Sequence, residues 1–106
     1  KKKKKLIKKN EYNKWIDDSY MLMGKAYFVK NEFLQAQNNF KFIIRQFPNN
    51  PIRFEAMVWL GRNALETGNL KKTKEWLDQM DAEDDFPDDL KKDYEILYAA
   101  YYLLKY

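Results

Sequence analysis

The sequence predicts an all-α chain of about five main helices, arranged as an α-solenoid of helix-turn-helix repeats. The first observation is helical spacing. Tyr20, Met23, Gly24 and Tyr27 fall at offsets 0, 3, 4 and 7 on one face, and Ala36, Phe40 and Ile43 fall at 0, 4 and 7 on a second. The second is recurrence: a shift of 37 residues lands on Met57, Leu60, Gly61 and Ala64, and an equal step reaches Tyr94, Leu97, Tyr98 and Tyr101. The third is punctuation, since the three glycines and three prolines stand at the repeat positions Gly24, Gly61, Gly68, Pro48, Pro51 and Pro87. That leaves few residues for β-turns.

Residues 1–9 read as the tail of a preceding helix with Leu6 and Ile7 as its only apolar residues, and Asn10 and Asn13 fit a turn. The first full helix is expected from Tyr12 or Trp15 to residue 29. Gly24 and Ala36 have too little side chain to hold two helices apart, so a close crossing with a second helix over 32–47 is expected. Phe47 to Pro51 forms the next turn, with Asn50 as cap and Pro51 in the first turn of a third helix, 51–67, where its missing N–H is no loss. Gly68 and Asn69 supply a left-handed stop that β-branched Thr67 could not adopt cheaply. A fourth helix is expected over 70–80 and a fifth over 88–105, Asp88 and Asp89 favouring its N-terminal dipole. The resulting units are a basic segment 1–11, repeats over 12–50 and 51–87, and the opening helix of a third over 88–106. The chain is therefore expected to be a fragment of a longer array.

A chain of 106 residues with 45% apolar and 17% aromatic content can pack a core. Its +4 net charge invites a nucleic-acid reading, but Lys1 to Lys5 account for the excess: without them 15 basic residues face 16 acidic ones. A terminal run of like charge reads first as a solvated tail. The alternative is a basic and aromatic module for nucleic acid or an anionic surface, using Lys1 to Lys9 with Tyr12 and Trp15. The absence of cysteine leaves the redox compartment open. No apolar run reaches the length of a membrane span, so no transmembrane segment is expected.

Catalysis is poorly supplied. With no histidine and no cysteine, the commonest general base, the best nucleophile and the usual transition-metal ligands are missing. Ser19, Thr67 and Thr73 are the only hydroxyl candidates besides tyrosine, and none sits in a nucleophile elbow or phosphate loop. Asp17 and Asp18 are adjacent on a helix and point to different faces, which makes a poor acid/base pair. The acidic run from Asp81 to Leu90 could attract a hard cation but lacks an EF-hand's spacing and glycine, so no cofactor and no metal are expected, and no enzyme activity.

The run from Tyr20 to Pro48 resembles the tetratricopeptide repeat family, matching its aromatic-x-x-hydrophobic-Gly-x-x-Tyr, Ala-x-x-x-Phe and Pro pattern. The second unit departs from it, with Ala64 for the aromatic, Thr73 for the alanine and Pro87 late. The resemblance implies a right-handed solenoid whose first helices line a concave groove that binds a peptide or helix of another protein. Carried over, that groove is expected to be lined by Asp18, Met21, Lys25 and Phe28, by Glu55, Val58, Arg62 and Leu65, and by Lys92, Glu95, Ala99 and Tyr102. Lys25 and Arg62, one period apart, would hold a partner carboxylate. The pattern is not that of the carboxylate-clamp subclass, because Met21 and Lys25 occupy the first pair of its groove positions. Trp15, Phe28 and Tyr102 are the aromatics the repeat faces explain least, and the last helix offers a surface for a second copy.

More narrowly, Trp15 to Asp18, Gly24 to Tyr27, Phe47 to Pro51 and Trp59 to Arg62 are similar to repeats of bacterial envelope lipoproteins, above all those of Bacteroidetes associated with gliding motility and type IX secretion. This implies a periplasmic interaction scaffold, lipid-anchored through a segment upstream of this sequence. A cytoplasmic location stays open.

Overall fold

The computed structural model describes the backbone of residues 2–106 and the side chains of residues 15–106. Its elements are α1 (Lys2–Val29), α2 (Phe33–Gln46), α3 (Ile52–Glu66), α4 (Leu70–Asp81), a 3-10 turn (Asp88–Leu90) and α5 (Lys91–Lys105). There is no strand among the described residues, so the chain is all-α as expected. The main departure is at the start. The turn expected at Asn10 and Asn13 does not form, and α1 runs unbroken for 28 residues, about 42 Å at 1.5 Å per residue. Asparagine is only a weak helix former, and with no Gly or Pro before Gly24 no residue there forces a break.

Each helix packs on its neighbours, and α3 also meets α1 and α5, the second-neighbour pattern of stacked hairpins. The repeat is visible in backbone hydrogen bonds. Glu32 N–H donates to Tyr27 O at 2.8 Å, and 37 residues on Asn69 N–H donates to Ala64 O at 2.9 Å. Asn31 N–H donates to Phe28 O as Gly68 N–H does to Leu65 O, both at 3.0 Å. These bonds close the first helix of each unit through a left-handed residue, Asn31 at φ 63° and Gly68 at φ 76°. Asparagine is the non-glycine residue that tolerates this region best, which is why the first turn works without glycine.

Two core cells share α3. The first joins Met21, Ala36, Phe40, Ile43, Ala56 and Leu60 from α1, α2 and α3. The second joins Phe54, Met57, Val58, Leu77, Met80, Leu97 and Tyr101 from α3, α4 and α5. The close crossing expected at Gly24 is present: a methyl group there would lie 2.5 Å from Phe40 Cε1. Gly61 plays the same part for α5, with Leu97 Cδ2 2.5 Å from the position of its missing methyl. Thr73 fits the alanine place because its hydroxyl donates to Asn69 O at 2.8 Å, which makes a wholly buried polar atom harmless. Met23, expected inside, is 46% exposed, whereas its counterpart Leu60 is buried. Leu60 enters the core cell that α3 shares with α1 and α2, whereas Met23 stays open although Gly24 beside it is covered by α2.

Asn50 bonds the first turn of α3 as its predicted capping role requires, and Asn69, expected in the stop after Thr67, instead caps α4. Asn50 Oδ1 accepts from Ile52 N–H at 3.0 Å and Asn69 Oδ1 from Lys72 N–H at 3.0 Å. The fifth helix begins at Lys91 rather than Asp88, because residues 88–90 wind as a 3-10 turn.

Candidate functional site

The face built by α1, α3 and α5 carries the expected groove residues, but their arrangement differs from the expectation in three ways. Met21 and Val58, placed on the groove by the repeat pattern, are buried at 4% and 3% and belong to the core. Both are large and apolar, and α3 in particular is enclosed by both core cells, so its groove-side residues are drawn inward.

The basic pair is also occupied. Lys25 Nζ lies 2.6 Å from Glu55 Oε2 and 5.5 Å from the Trp59 ring. The Arg62 guanidinium stacks on Trp59 at 4.2 Å and reaches Phe28 at 5.4 Å. Phe28 meets Trp59 edge to face at 5.3 Å. Lys25 and Arg62 therefore bracket one aromatic cluster and are satisfied by it and by Glu55. Trp59 is the half-buried platform between them.

Third, the cleft uses other α5 positions than the expected ones. A cavity of about 300 Å³ opens between α1, α3 and α5, walled by Phe28, Leu65, Ile96 and Leu97 and rimmed by Arg62, Glu66 and Asp93. Of the expected residues it includes Phe28, Arg62 and Leu65. Lys92, Glu95, Ala99 and Tyr102 fall outside it, each within a few residues of the wall that α5 presents. Tyr102 instead stacks with Tyr98 at 5.5 Å and lies 5.1 Å from Tyr106. On the same helix Ile96, Leu103 and Leu104 are exposed, the surface expected to be open to another copy.

The remaining expected residues, Asp18 and Glu55, line a second cleft at the other end of this face, with Asp17, Asn50, Ile52 and Asp89. Asp17 is the residue sequence reasoning missed. It is 3% exposed, its Oδ2 accepts from Asn50 Nδ2 at 2.8 Å, and its Oδ1 has no hydrogen-bond partner among the described residues. Burial pushes its carboxyl above the usual aspartate range, against the Asp18 amide and the Asn50 bond. Two acidic residues side by side hint at an uneven pair, but which one faces inward is set by the crossing with α3. Asn63 was also missed: it is buried, donates to Phe33 O at 3.0 Å and so ties α3 to the start of α2.

Trp15 is 72% exposed, as its place off the repeat faces implies. The other members of the anionic-surface alternative, Lys1 to Lys9 and Tyr12, have side chains outside the described residues. Asp84 and Asp85 are exposed, and Asp88 pairs with Lys91 at 2.9 Å. Among the described residues no group of acidic side chains is placed to hold a metal ion, and no helix is long and apolar enough to cross a membrane. Compared with protein-family models, with curated proteins and with solved structures, the chain finds no match in any of the three.

Proposed function

We propose that this chain is a non-catalytic scaffold whose α1–α3–α5 face docks a segment of another protein. The cleft between Phe28, Leu65 and Ile96 carries the reading: an apolar floor with a charged rim, held by three helices, is the anatomy of a peptide-binding groove. The lack of histidine and cysteine agrees with a surface that binds rather than reacts. The repeats are of tetratricopeptide type on this reading, and the likeness of Trp15 to Asp18, Gly24 to Tyr27, Phe47 to Pro51 and Trp59 to Arg62 to Bacteroidetes envelope repeats favours a periplasmic lipoprotein of the gliding and type IX secretion group.

The test is site-specific crosslinking in the source cell. A photoreactive residue at Leu65 or Ile96 of the tagged protein is expected to capture a discrete partner, and one at Asn38 on α2 is not. Capture from Asn38 alone would refute the groove. Fractionation of the same cells reads the compartment: recovery in the envelope supports the lipoprotein, and recovery in the cytosol removes it while leaving the scaffold.

A further inference from the structure

The sequence points to a basic groove for a partner carboxylate, but the side chains place the opposite charge on offer. Lys25 is taken by Glu55 and Arg62 by Trp59. What faces the cleft beside α1 is acidic: Asp18 and Asp89 are exposed, Glu55, paired with Lys25, lines it with them, and Asp17 forms part of the wall. An acidic cluster alone is ordinary surface. Asp17 is different because it is almost wholly buried yet has one oxygen without a donor among the described residues, and an unpaired buried carboxylate oxygen is costly. Asn50, anchored by its own bond to Ile52 N–H, donates to the other oxygen and fixes the carboxylate's orientation. Asn50 thus holds the acid in place without neutralising it. The charge that would neutralise it is one the described residues do not provide.

From this geometry we infer that the Asp17–Asp18–Asp89 cleft receives a lysine or arginine side chain of the protein segment bound in the neighbouring apolar cleft. The inference rests on the groove reading above and adds what that segment must contain. A cationic side chain fits better than a metal ion, because the acidic groups there do not converge on a common point that could hold one. The spacing follows from the helices. Asp18 and Phe28 are ten residues apart on α1, as are Glu55 and Leu65 on α3, which is about 15 Å along each axis. An extended segment covers that distance in about five residues. The preferred ligand therefore has a basic residue and a large apolar residue about five positions apart.

The probe is the capped peptide arginine-glycine-serine-glycine-serine-leucine, titrated into the ¹⁵N-labelled full chain, with a second peptide carrying glutamine for arginine. The arginine peptide is expected to shift the Asn50 side-chain amide and the Asp18 and Ile52 amides in one saturable step, together with Leu65 and Ile96. The glutamine peptide is expected to lose the first set. The double variant Asp18→Asn, Asp89→Asn leaves the fold intact, both residues being exposed, and is expected to weaken the arginine peptide about tenfold, the scale of two partly exposed charge pairs. Asp17→Asn, which keeps an acceptor for Asn50, is expected to weaken it also. Equal shifts at Asn50 from both peptides, or unchanged affinity in the double variant, overturn the inference. If Leu65 and Ile96 still move in that case, the groove reading stands without it. Calcium chloride reproducing the Asn50 shift and blocking the peptide would likewise overturn it, in favour of a metal site.

Discussion

Gly24 and Gly61 occupy the same place in successive units, and the structure predicts that they tolerate alanine very differently. A methyl at Gly24 meets the Phe40 ring at 2.5, 2.9 and 3.0 Å. Phe40 is completely buried and lies against Trp59 with ring centroids 5.9 Å apart, so the ring has nowhere to retreat. Alanine gains about 1 kcal/mol over glycine inside a helix. Overpacking a tight core costs about 1–3 kcal/mol. The net effect of Gly24→Ala is then a loss of up to about 2 kcal/mol, and Gly24→Val, which adds bulk and has poorer helix propensity, loses about 1–3 kcal/mol or more. At Gly61 the obstacle is Leu97 Cδ2, the far end of a flexible side chain on the terminal helix, with the next contact, Met80 Cε, at 3.5 Å. Leu97 can rotate, so the propensity gain nearly cancels the cost. Thermal unfolding followed by circular dichroism reads the difference, at about 4–8 °C in Tm per kcal/mol for a chain of this size. The expected order of Tm is native and Gly61→Ala close together, Gly24→Ala lower and Gly24→Val lowest. A Gly24→Val melting curve matching the native one, or a Gly61→Ala curve below that of Gly24→Ala, would refute the packing argument.

Asn50→Ala removes the donor to Asp17 and the acceptor for Ile52 N–H together, and is expected to cost about 1–3 kcal/mol in urea unfolding. Gly68→Ala places a Cβ at φ 76° with no neighbour within 4 Å, so its expected loss of about 1 kcal/mol is backbone strain alone; Asn31→Gly at the matching turn should not destabilise by that route. The Asp17 carboxyl holds its proton to higher pH when folded than when unfolded, so the native chain loses stability as pH rises from about 4 through the raised value. Asp17→Asn cannot lose it, and its Tm relative to the native chain is expected to rise over that interval; a constant difference would refute the burial argument. Glu83 has the opposite sign. Its bond to Arg53 at 2.7 Å lowers its pKa, so its contribution is present above the ordinary glutamate value and disappears as pH falls through the lowered one, a dependence Arg53→Gln is expected to remove.

Helix spacing and turn residues were legible because they are local: Asn50 and Gly68 act within a few residues of themselves and are used as expected, while Asn69, expected in the left-handed stop, caps the helix that follows it. The unbroken α1 was not, since Asn10 and Asn13 are compatible with both a turn and a helix. On the candidate site, the pattern placed Phe28, Arg62 and Leu65 on the face that holds the cleft. It misplaced Met21 and Val58 because repeat position fixes a residue's angle on its own helix, whereas burial depends on how far the neighbouring helices reach around it. The charge of the site was illegible for a related reason. Lys25 and Glu55 are 30 residues apart, and only the crossing of α1 and α3 makes them a pair.

The apolar cleft has α5 as one wall, and α5 is the helix with the least around it. It rests on α3 and α4 through Leu97 and Tyr101, while Ile96, Leu103, Leu104 and Tyr106 stay in water. Elements with few buried contacts open first, at a free-energy cost below that of global unfolding. The wall of the groove is thus also its hinge. A segment bound between α3 and α5 closes that opening from outside, so occupancy should appear as slowed amide hydrogen exchange along α5 well before any change in α1 or α2. For a scaffold, this makes the width of its binding face an adjustable quantity, set by the segment that enters it rather than fixed beforehand by the core.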